Sequence, residues 1–271
     1  VAVAVTWGAA FVLMKDAIEE QPFYDFLAIR FTIATAVMIL AKPTVLKAFD
    51  GPMLKHGFYL GLLLSLGYIT QTIGLELSTA AITGFITGLY VVLTPVLAWL
   101  VLKEKITRFV WLCIMLATVG LGLLSIRGFS VGIGEMFVLA SAFLFAAHII
   151  ALSKWSSGRD VYAMTIVQLS MCALLSGIAS IPGGYSAPPD SGVWAVVIFT
   201  AVFATAIAFI VQTWSQAHMS ATKVAVILTM EVVFAALFAI LFGGERLTLQ
   251  SAVGGVLVVV AMYLIVLKEQ K

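Results

Sequence analysis

Charged residues are scarce in this chain of 271 residues: only 10% are Asp, Glu, Lys or Arg, against roughly 25% in an average soluble domain. Its two cysteines, Cys113 and Cys172, are far apart, and its three histidines are scattered, so neither a disulfide framework nor a metal-ligand set is indicated. No HExxH, GxxxxGK or GxSxG motif occurs. These shortages exclude a cytosolic enzyme, and we expect neither a cofactor nor a nucleic-acid partner.

Apolar residues make up 62% of the chain, and its mean hydropathy is +1.14. Apolar runs separated by charged or Pro/Gly clusters predict an all-α membrane protein with ten transmembrane helices, since each span needs about 20 apolar residues. The ten predicted spans cover residues 1–14, 23–41, 57–75, 79–102, 106–126, 134–152, 161–181, 193–217, 222–243 and 248–267.

Lysine and arginine are distributed unevenly between alternate loops, and cytoplasmic loops carry the excess of these residues. One side of the predicted topology holds only Lys15, Arg127 and Arg246. The other side holds Lys42, Lys47, Lys55, Lys103, Lys105, Arg108, Lys154, Arg159, Lys223, Lys268 and Lys271. Both termini are therefore predicted to be cytoplasmic.

The chain repeats itself with a shift of 141 residues, which aligns 79–124 with 220–265 without a gap. The polar matches are the informative ones, because apolar sequence agrees often by chance; they pair Glu104 with Glu245, Thr107 with Thr248, Gln71 with Gln212 and Thr72 with Thr213. Residues 1–126 and 127–271 then form two five-helix repeats of one membrane domain. An odd number of spans inverts the second copy, a construction that places a binding site near the bilayer midplane.

Glu231 lies about nine residues, or roughly 14 Å, from the cytoplasmic start of its predicted span. A carboxyl at that depth is costly, so it indicates recognition of a cationic group, a proton site, or a structural hydrogen bond between helices. Its repeat counterpart is Tyr90, which shares one helix face with Thr83, Thr87 and Thr94. That polar face predicts either cavity lining or helix-helix packing.

Arg30 lies about seven residues inside the second predicted span. The difference in membrane depth between Arg30 and Glu231 is within the length of one long side chain. The Arg30 guanidinium could snorkel to the outer headgroups, form an ion pair with Glu231, or bind a substrate carboxylate while Glu231 binds an ammonium group. The last arrangement suits a zwitterionic amino acid.

Four more side chains are candidates for substrate contact, each with helix packing as the alternative. Tyr68 and Gln71 lie on one span, and Tyr68 with Tyr90 would supply an aromatic wall. His148 is a lone intramembrane imidazole, which is a polar contact or a structural hydrogen-bonding group. Trp7 is flanked by small residues inside the first span.

Several of these features resemble the drug/metabolite transporter superfamily with two EamA-type repeats. The resemblance is carried by the run from Trp7 to Val12, by Arg30, by the stretch 79–95 followed by Leu102 to Lys105, and by its second copy at 220–246. It implies a single-chain, monomeric carrier in the bacterial inner membrane, whose cavity lies between the repeats. The similarity is greatest to amino-acid and metabolite exporters of the YddG kind, which handle aromatic amino acids.

We therefore expect export of small organic metabolites, chiefly amino acids including aromatic ones, by alternating access, with the lipid bilayer as surroundings and proton coupling as an option. The alternative is an exporter of cationic amphipathic drugs, for which Glu231 alone is the anchor. A nucleotide-sugar or phosphorylated-sugar carrier is more remote, because the interior offers few cations. A channel and a membrane-embedded enzyme are further alternatives.

Overall fold

A computed structural model of the chain describes residues 1–78, 80–125, 132–242 and 248–269. This part of the chain is helical and contains no β-strand. Its α-helices are α1 (Ala2–Glu20), α2 (Phe23–Ala41), α3 (Gly51–Leu77), α4 (Ala80–Gly88), α5 (Tyr90–Leu97), α6 (Arg108–Ser125), α7 (Ile133–Ser156), α8 (Val161–Ser180), α9 (Ser191–Ala201), α10 (Ala208–His218), α11 (Ala221–Leu228), α12 (Met230–Leu241) and α13 (Leu249–Glu269). Short 3₁₀ segments cover Pro43–Ala48 and Ile181–Gly183, and π-helical segments cover Ala98–Leu102 and Val202–Ile207.

Six helical segments of the described residues are both long and apolar enough to cross a membrane: Phe23–Ala41, Gly51–Leu77, Ile133–Ser156, Val161–Gly183, Ser191–His218 and Ala221–Phe238. Shorter apolar helices cover Ile86–Leu102, Arg108–Gly120 and Ala252–Ala261. Large apolar side chains also cover the outside, and Leu112, Met115, Leu174 and Ile178 are each more than half exposed. Such faces suit lipid, so the chain is a multi-pass membrane protein.

Aspartates mark where three of these helices begin. Asp50 accepts a hydrogen bond from the Met53 N–H at 2.6 Å, so α3 starts at Gly51, six residues before the predicted span. Asp160 and Asp190 accept equivalent bonds at the starts of α8 and α9. N-cap aspartates satisfy backbone N–H groups that the first helical turn leaves free.

The first helix is longer than predicted, because α1 continues past Lys15 to Glu20. The Lys15 ammonium group donates to the Leu75 carbonyl at 2.9 Å, near the end of α3. Because this bond compensates the charge of Lys15, the helix continues past the predicted end of the span. At the same end of the bundle the Ser78 hydroxyl donates to Glu135 Oε1 at 2.8 Å. These contacts tie α1, α3 and α7 together.

Two helices are interrupted at nearly equivalent positions of the predicted repeat. Leu89 separates α4 from α5, and Thr229 separates α11 from α12, with ψ angles of −11° and −13°. The N–H of Val92 bonds to Leu89 O and that of Val232 to Thr229 O, which tightens both turns locally. One interruption immediately precedes Tyr90, and the other lies two residues before Glu231.

The helices pack in pairs that two related halves would produce. α2 packs on α8 and α6 packs on α13, and each pair joins helices in corresponding places of the two predicted repeats. α1 packs on α12, and correspondingly α7 packs on both α4 and α5. The number of spans and the side on which the termini lie remain predictions. Arg127, Glu245, Arg246 and Lys271, which entered the topology and repeat arguments, lie outside the described residues.

Candidate substrate cavity

A central cavity lies among α1, α2, α3, α4, α5, α7, α10, α11 and α12. All eight side chains predicted to contact substrate line it: Trp7, Arg30, Tyr68, Gln71, Thr87, Tyr90, His148 and Glu231. The tertiary structure therefore brings together residues from both halves of the sequence.

Arg30 is almost completely buried, with 1% of its surface exposed. Its Nε donates to Thr205 Oγ1 at 2.7 Å and its NH1 to Met14 Sδ at 3.0 Å, with a longer contact from NH2 to Ala204 O at 3.5 Å. Its guanidinium carbon lies 5.3 Å from the ring centroid of Tyr68 and 5.6 Å from that of Phe31. This enclosure contradicts the snorkelling interpretation of Arg30.

Glu231 is also buried, and its neighbour is its own repeat counterpart, Tyr90. The Tyr90 hydroxyl interacts electrostatically with the Glu231 carboxyl, although it makes no hydrogen bond of regular geometry there. The two residues are counterparts in the predicted repeat, and both line the cavity.

The two buried charges do not pair with each other. Within the described residues the one ion pair joins Lys42 to Asp160 at 3.7 Å, outside the cavity. The predicted alternative of an Arg30–Glu231 ion pair is therefore wrong for this conformation. Tyr68 lies within electrostatic range of both Arg30 and Glu231.

Aromatic rings form part of the cavity wall. The Tyr68 ring centroid lies 5.4 Å from that of Phe145 and 6.2 Å from that of Phe209, both in edge-on arrangements. The Trp7 ring lies 5.6 Å from Phe209. Rings at these separations present faces and edges on which a flat apolar group can pack.

His148 belongs to a buried hydrogen-bonded chain. Its Nε2 lies 2.7 Å from Gln168 Oε1, and the Gln168 amide nitrogen donates to Thr213 Oγ1 at 3.2 Å. Because the Gln168 amide nitrogen is used by Thr213, its carbonyl faces the imidazole, and Nε2 carries the proton as donor.

The polar face of α4 and α5 is buried inside the bundle, as its spacing predicted. Thr83, Thr87, Tyr90 and Thr94 are all less than 4% exposed, and Gln71 Nε2 donates to Thr87 Oγ1 at 3.1 Å. Thr87 and Tyr90 line the cavity, whereas Thr83 and Thr94 do not. One part of this face therefore lines the cavity, and the other part is buried by helix packing.

Sequence reasoning missed Phe145, Phe209 and Met14, and it noted Gln212 only as a polar residue inside the membrane; all four line the cavity. A phenylalanine in an apolar run carries no signal by itself. The repeat offered one, since Phe209 and Gln212 are the counterparts of Tyr68 and Gln71 at the same shift of 141. A shift of 138 residues, which fits the first spans of each half, pairs Trp7 with Phe145 and Arg30 with Gln168.

Comparison with known proteins decides the family. A model of the EamA-like transporter family matches residues 1–126 and 132–267, nearly the whole chain. The chain belongs to the EamA-like transporter family. Membership implies a small-molecule substrate and a lipid bilayer as surroundings.

Similar proteins align with almost the whole length of this chain. An uncharacterized transporter of Archaeoglobus fulgidus is 33% identical over 98% of this chain and 84% of its own length. The uncharacterized transporter YvbV of Bacillus subtilis is 27% identical over 98% of this chain and 90% of its own length. A solved crystal structure superposes with a TM-score of 0.84 over 99% of this chain and 95% of that chain, at 18% identity, which shows the fold alone.

Proposed function

We propose that this EamA protein is a secondary transporter that exports amino acids, including aromatic ones, across the cytoplasmic membrane by alternating access. The proposal rests on one observation above all. The central cavity holds a buried cation, Arg30, and a buried carboxyl, Glu231, which have no ion-pair partner among the described residues. Burying the Arg30 guanidinium without a counter-ion is costly, and a ligand that brings a carboxylate to Arg30 and an ammonium group to Glu231 offsets that cost.

The chemistry of a free amino acid matches the cavity. A carboxylate suits the planar guanidinium of Arg30, which can hold two oxygens at once, and an ammonium group suits Glu231. An aromatic or apolar side chain suits the rings of Trp7, Tyr68 and Phe209. His148 and Gln71 would then fix the polar groups of the ligand between these ends.

The proposed architecture has ten spans in two inverted five-helix repeats, 1–126 and 127–271, with both termini in the cytoplasm. The paired packing of α2 with α8 and of α6 with α13 supports it, as do the matching interruptions at Leu89 and Thr229. Rocking of the two halves would expose the cavity to each face of a bacterial inner membrane in turn. We take the monomer as the transporting unit.

Transport by purified protein in proteoliposomes tests the proposal. Labelled phenylalanine should enter vesicles preloaded with unlabelled phenylalanine in a saturable way, and Arg30→Gln and Glu231→Gln should each reduce this exchange at least tenfold. Glu76→Gln and Arg108→Gln are matched controls, since both residues are exposed. Unchanged exchange in both cavity variants would exclude the charge pair as the binding site.

Proton coupling is a separate part of the proposal, with Glu231 as the carboxyl that would take up the proton. A pH gradient imposed across empty vesicles should then drive net phenylalanine accumulation in the wild type. In Glu231→Gln any residual exchange should not respond to the gradient. If phenylalanine only equilibrates across the wild-type vesicles whether or not the pH gradient is imposed, the protein is a uniporter.

A second candidate is an exporter of cationic amphipathic compounds, favoured by the aromatic rings that line the cavity together with Glu231. Aromatic faces bind organic cations, and a carboxyl adds the opposite charge. Under this alternative, Glu231→Gln abolishes exchange of an organic cation such as tetraphenylphosphonium, while Arg30→Gln does not affect it.

A further inference from the structure

Thr205 lies in the π-helical segment Val202–Ile207 between α9 and α10, and it makes the shortest hydrogen bond to Arg30. We infer that Thr205 is a positioning residue, which holds the Arg30 guanidinium ready for a ligand carboxylate and thereby sets the preference of the cavity for acids over amines. This inference rests on the proposed function, because it needs Arg30 to contact the ligand.

The π-helical segment presents two acceptors to the cavity side chains. At the end of this segment the N–H of Ala208 bonds to the Thr205 carbonyl. In an α-helix it would bond to the Ala204 carbonyl. The Ala204 carbonyl accepts from Trp7 Nε1 at 2.8 Å and lies 3.5 Å from Arg30 NH2. Single π-turns inside α-helices are frequent at functional sites.

The donors of Arg30 can be accounted for one by one. A guanidinium has five N–H groups, and among the described residues Thr205, Met14 and Ala204 accept three of them. These three contacts leave one N–H on each terminal nitrogen, and the Tyr68 hydroxyl lies within hydrogen-bonding reach of the guanidinium beside them. Two parallel N–H groups on the terminal nitrogens are what a carboxylate needs for a two-point contact.

The Thr205 hydroxyl fixes the plane in which those two N–H groups lie. Its bond at Nε is 2.7 Å long, and the Thr205 side chain is completely buried, so water cannot replace it. Tyr68 and Phe31 flank the guanidinium, and its other restraints are a contact to the Met14 sulfur and a long contact to the Ala204 carbonyl. Removing the hydroxyl leaves the Nε–H unpaired, and the guanidinium will turn to find another acceptor.

The anchor is present in one half of the molecule only. By the repeat shifts, the counterpart of Thr205 is Leu64 and the counterpart of Arg30 is Gln168. Leu64 lines the cavity but offers no hydroxyl. The asymmetry gives the cavity a single carboxylate end, so a bound amino acid has one orientation.

The test compares two ligands that differ by one carboxylate: phenylalanine and 2-phenylethylamine. Dissociation constants are measured for both on the full chain in detergent. Thr205→Val keeps the side-chain volume and removes the hydroxyl, and we expect it to weaken phenylalanine binding about tenfold and to leave 2-phenylethylamine binding unchanged. Thr205→Ser, which keeps the hydroxyl, should restore the phenylalanine affinity to within about threefold.

Two further variants make the result decisive. Thr200→Val is the matched control, because Thr200 is also buried but bonds to carbonyls of its own helix α9, and it should leave both affinities unchanged. Arg30→Gln should remove the preference for phenylalanine altogether. If Arg30→Gln removes that preference and Thr205→Val does not alter it, the role of Thr205 is overturned and the proposed function stands. If Arg30→Gln leaves the preference intact, or the wild type binds neither ligand, both proposals fail.

Discussion

Individual residues in this protein could be identified as candidates wherever polarity conflicts with the surrounding apolar sequence. Arg30, Glu231 and His148 each interrupt a run in which a charged or strongly polar group is costly. The structure places all three at one cavity. The phenylalanines of the cavity wall could not be found this way, because a phenylalanine is an ordinary residue both in a lipid-facing helix surface and in a cavity.

Gly8 of α1 lies directly against the backbone of α12 beside Glu231. A Cβ atom at Gly8 would lie 2.7 Å from the Ala235 backbone nitrogen and 2.8 Å from the Glu231 carbonyl oxygen. Gly8→Ala should therefore force α1 and α12 apart, lower the apparent melting temperature in detergent and reduce phenylalanine exchange. Gly177→Ala is the control, because a Cβ there meets nothing within 4 Å, and alanine favours helix by about 1 kcal/mol. Equal melting temperatures for the two variants would contradict the close approach.

At the scale of the element, the ends of helices were readable from the sequence and their internal irregularities were not. Prolines, glycines and capping aspartates occur at the predicted breaks, and α3, α8 and α9 begin there. By contrast, no residue type announces the π-helical segment at Val202–Ile207. Its geometry is stabilised by contacts to Trp7 and Arg30, which are distant in the chain.

Asp190 gives a pH-dependent prediction at the start of α9. The backbone N–H groups of Val193 and Gly192 donate to its carboxylate and hold the pKa of Asp190 below its ordinary value. A lowered pKa in the folded state means that this stabilisation is fully present above about pH 4 and is lost as the pH falls through the folded value.

We therefore expect the apparent melting temperature of the wild type to fall below pH 4 more steeply than that of Asp190→Asn. Asparagine also caps helices but does not titrate. Thermal unfolding of both proteins between pH 3 and pH 7 measures the difference. Parallel curves for the two proteins would contradict the role of this carboxylate.

For the whole molecule, the contacts between the two halves decide whether alternating access operates. Ser78 on the first half donates to Glu135 on the second at 2.8 Å. If the halves rock against each other, a contact of this kind at one end of the bundle must open during each transport cycle.

A cross-link at this point should therefore stop transport. In the double variant Ser78→Cys with Glu135→Cys, a short thiol-reactive cross-linker should abolish phenylalanine exchange, and a reducible linker should allow reductant to restore it. The native cysteines Cys113 and Cys172 are buried and should not interfere. Each single variant treated in the same way is the control. Full exchange in cross-linked protein would show that this end of the bundle stays closed throughout the cycle.

The amino-acid sequence by itself determined that this chain is helical and embedded in a membrane. Both properties follow from local composition, because a run of about 20 apolar residues needs helical hydrogen bonding in lipid wherever it lies in the chain. The sequence also indicated which polar residues are out of place in such runs.

Only the tertiary structure decided what those residues do with one another. Arg30 and Thr205 are 175 positions apart, and neither their hydrogen bond nor the lack of an Arg30–Glu231 ion pair could be predicted from periodicity. The sequence left snorkelling, pairing and ligand binding open for Arg30. Packing of α2 against the π-helical segment excluded snorkelling. The separation of Arg30 from Glu231 excluded an ion pair between them in this conformation. Charge pairing depends on distances, and helix packing sets those distances.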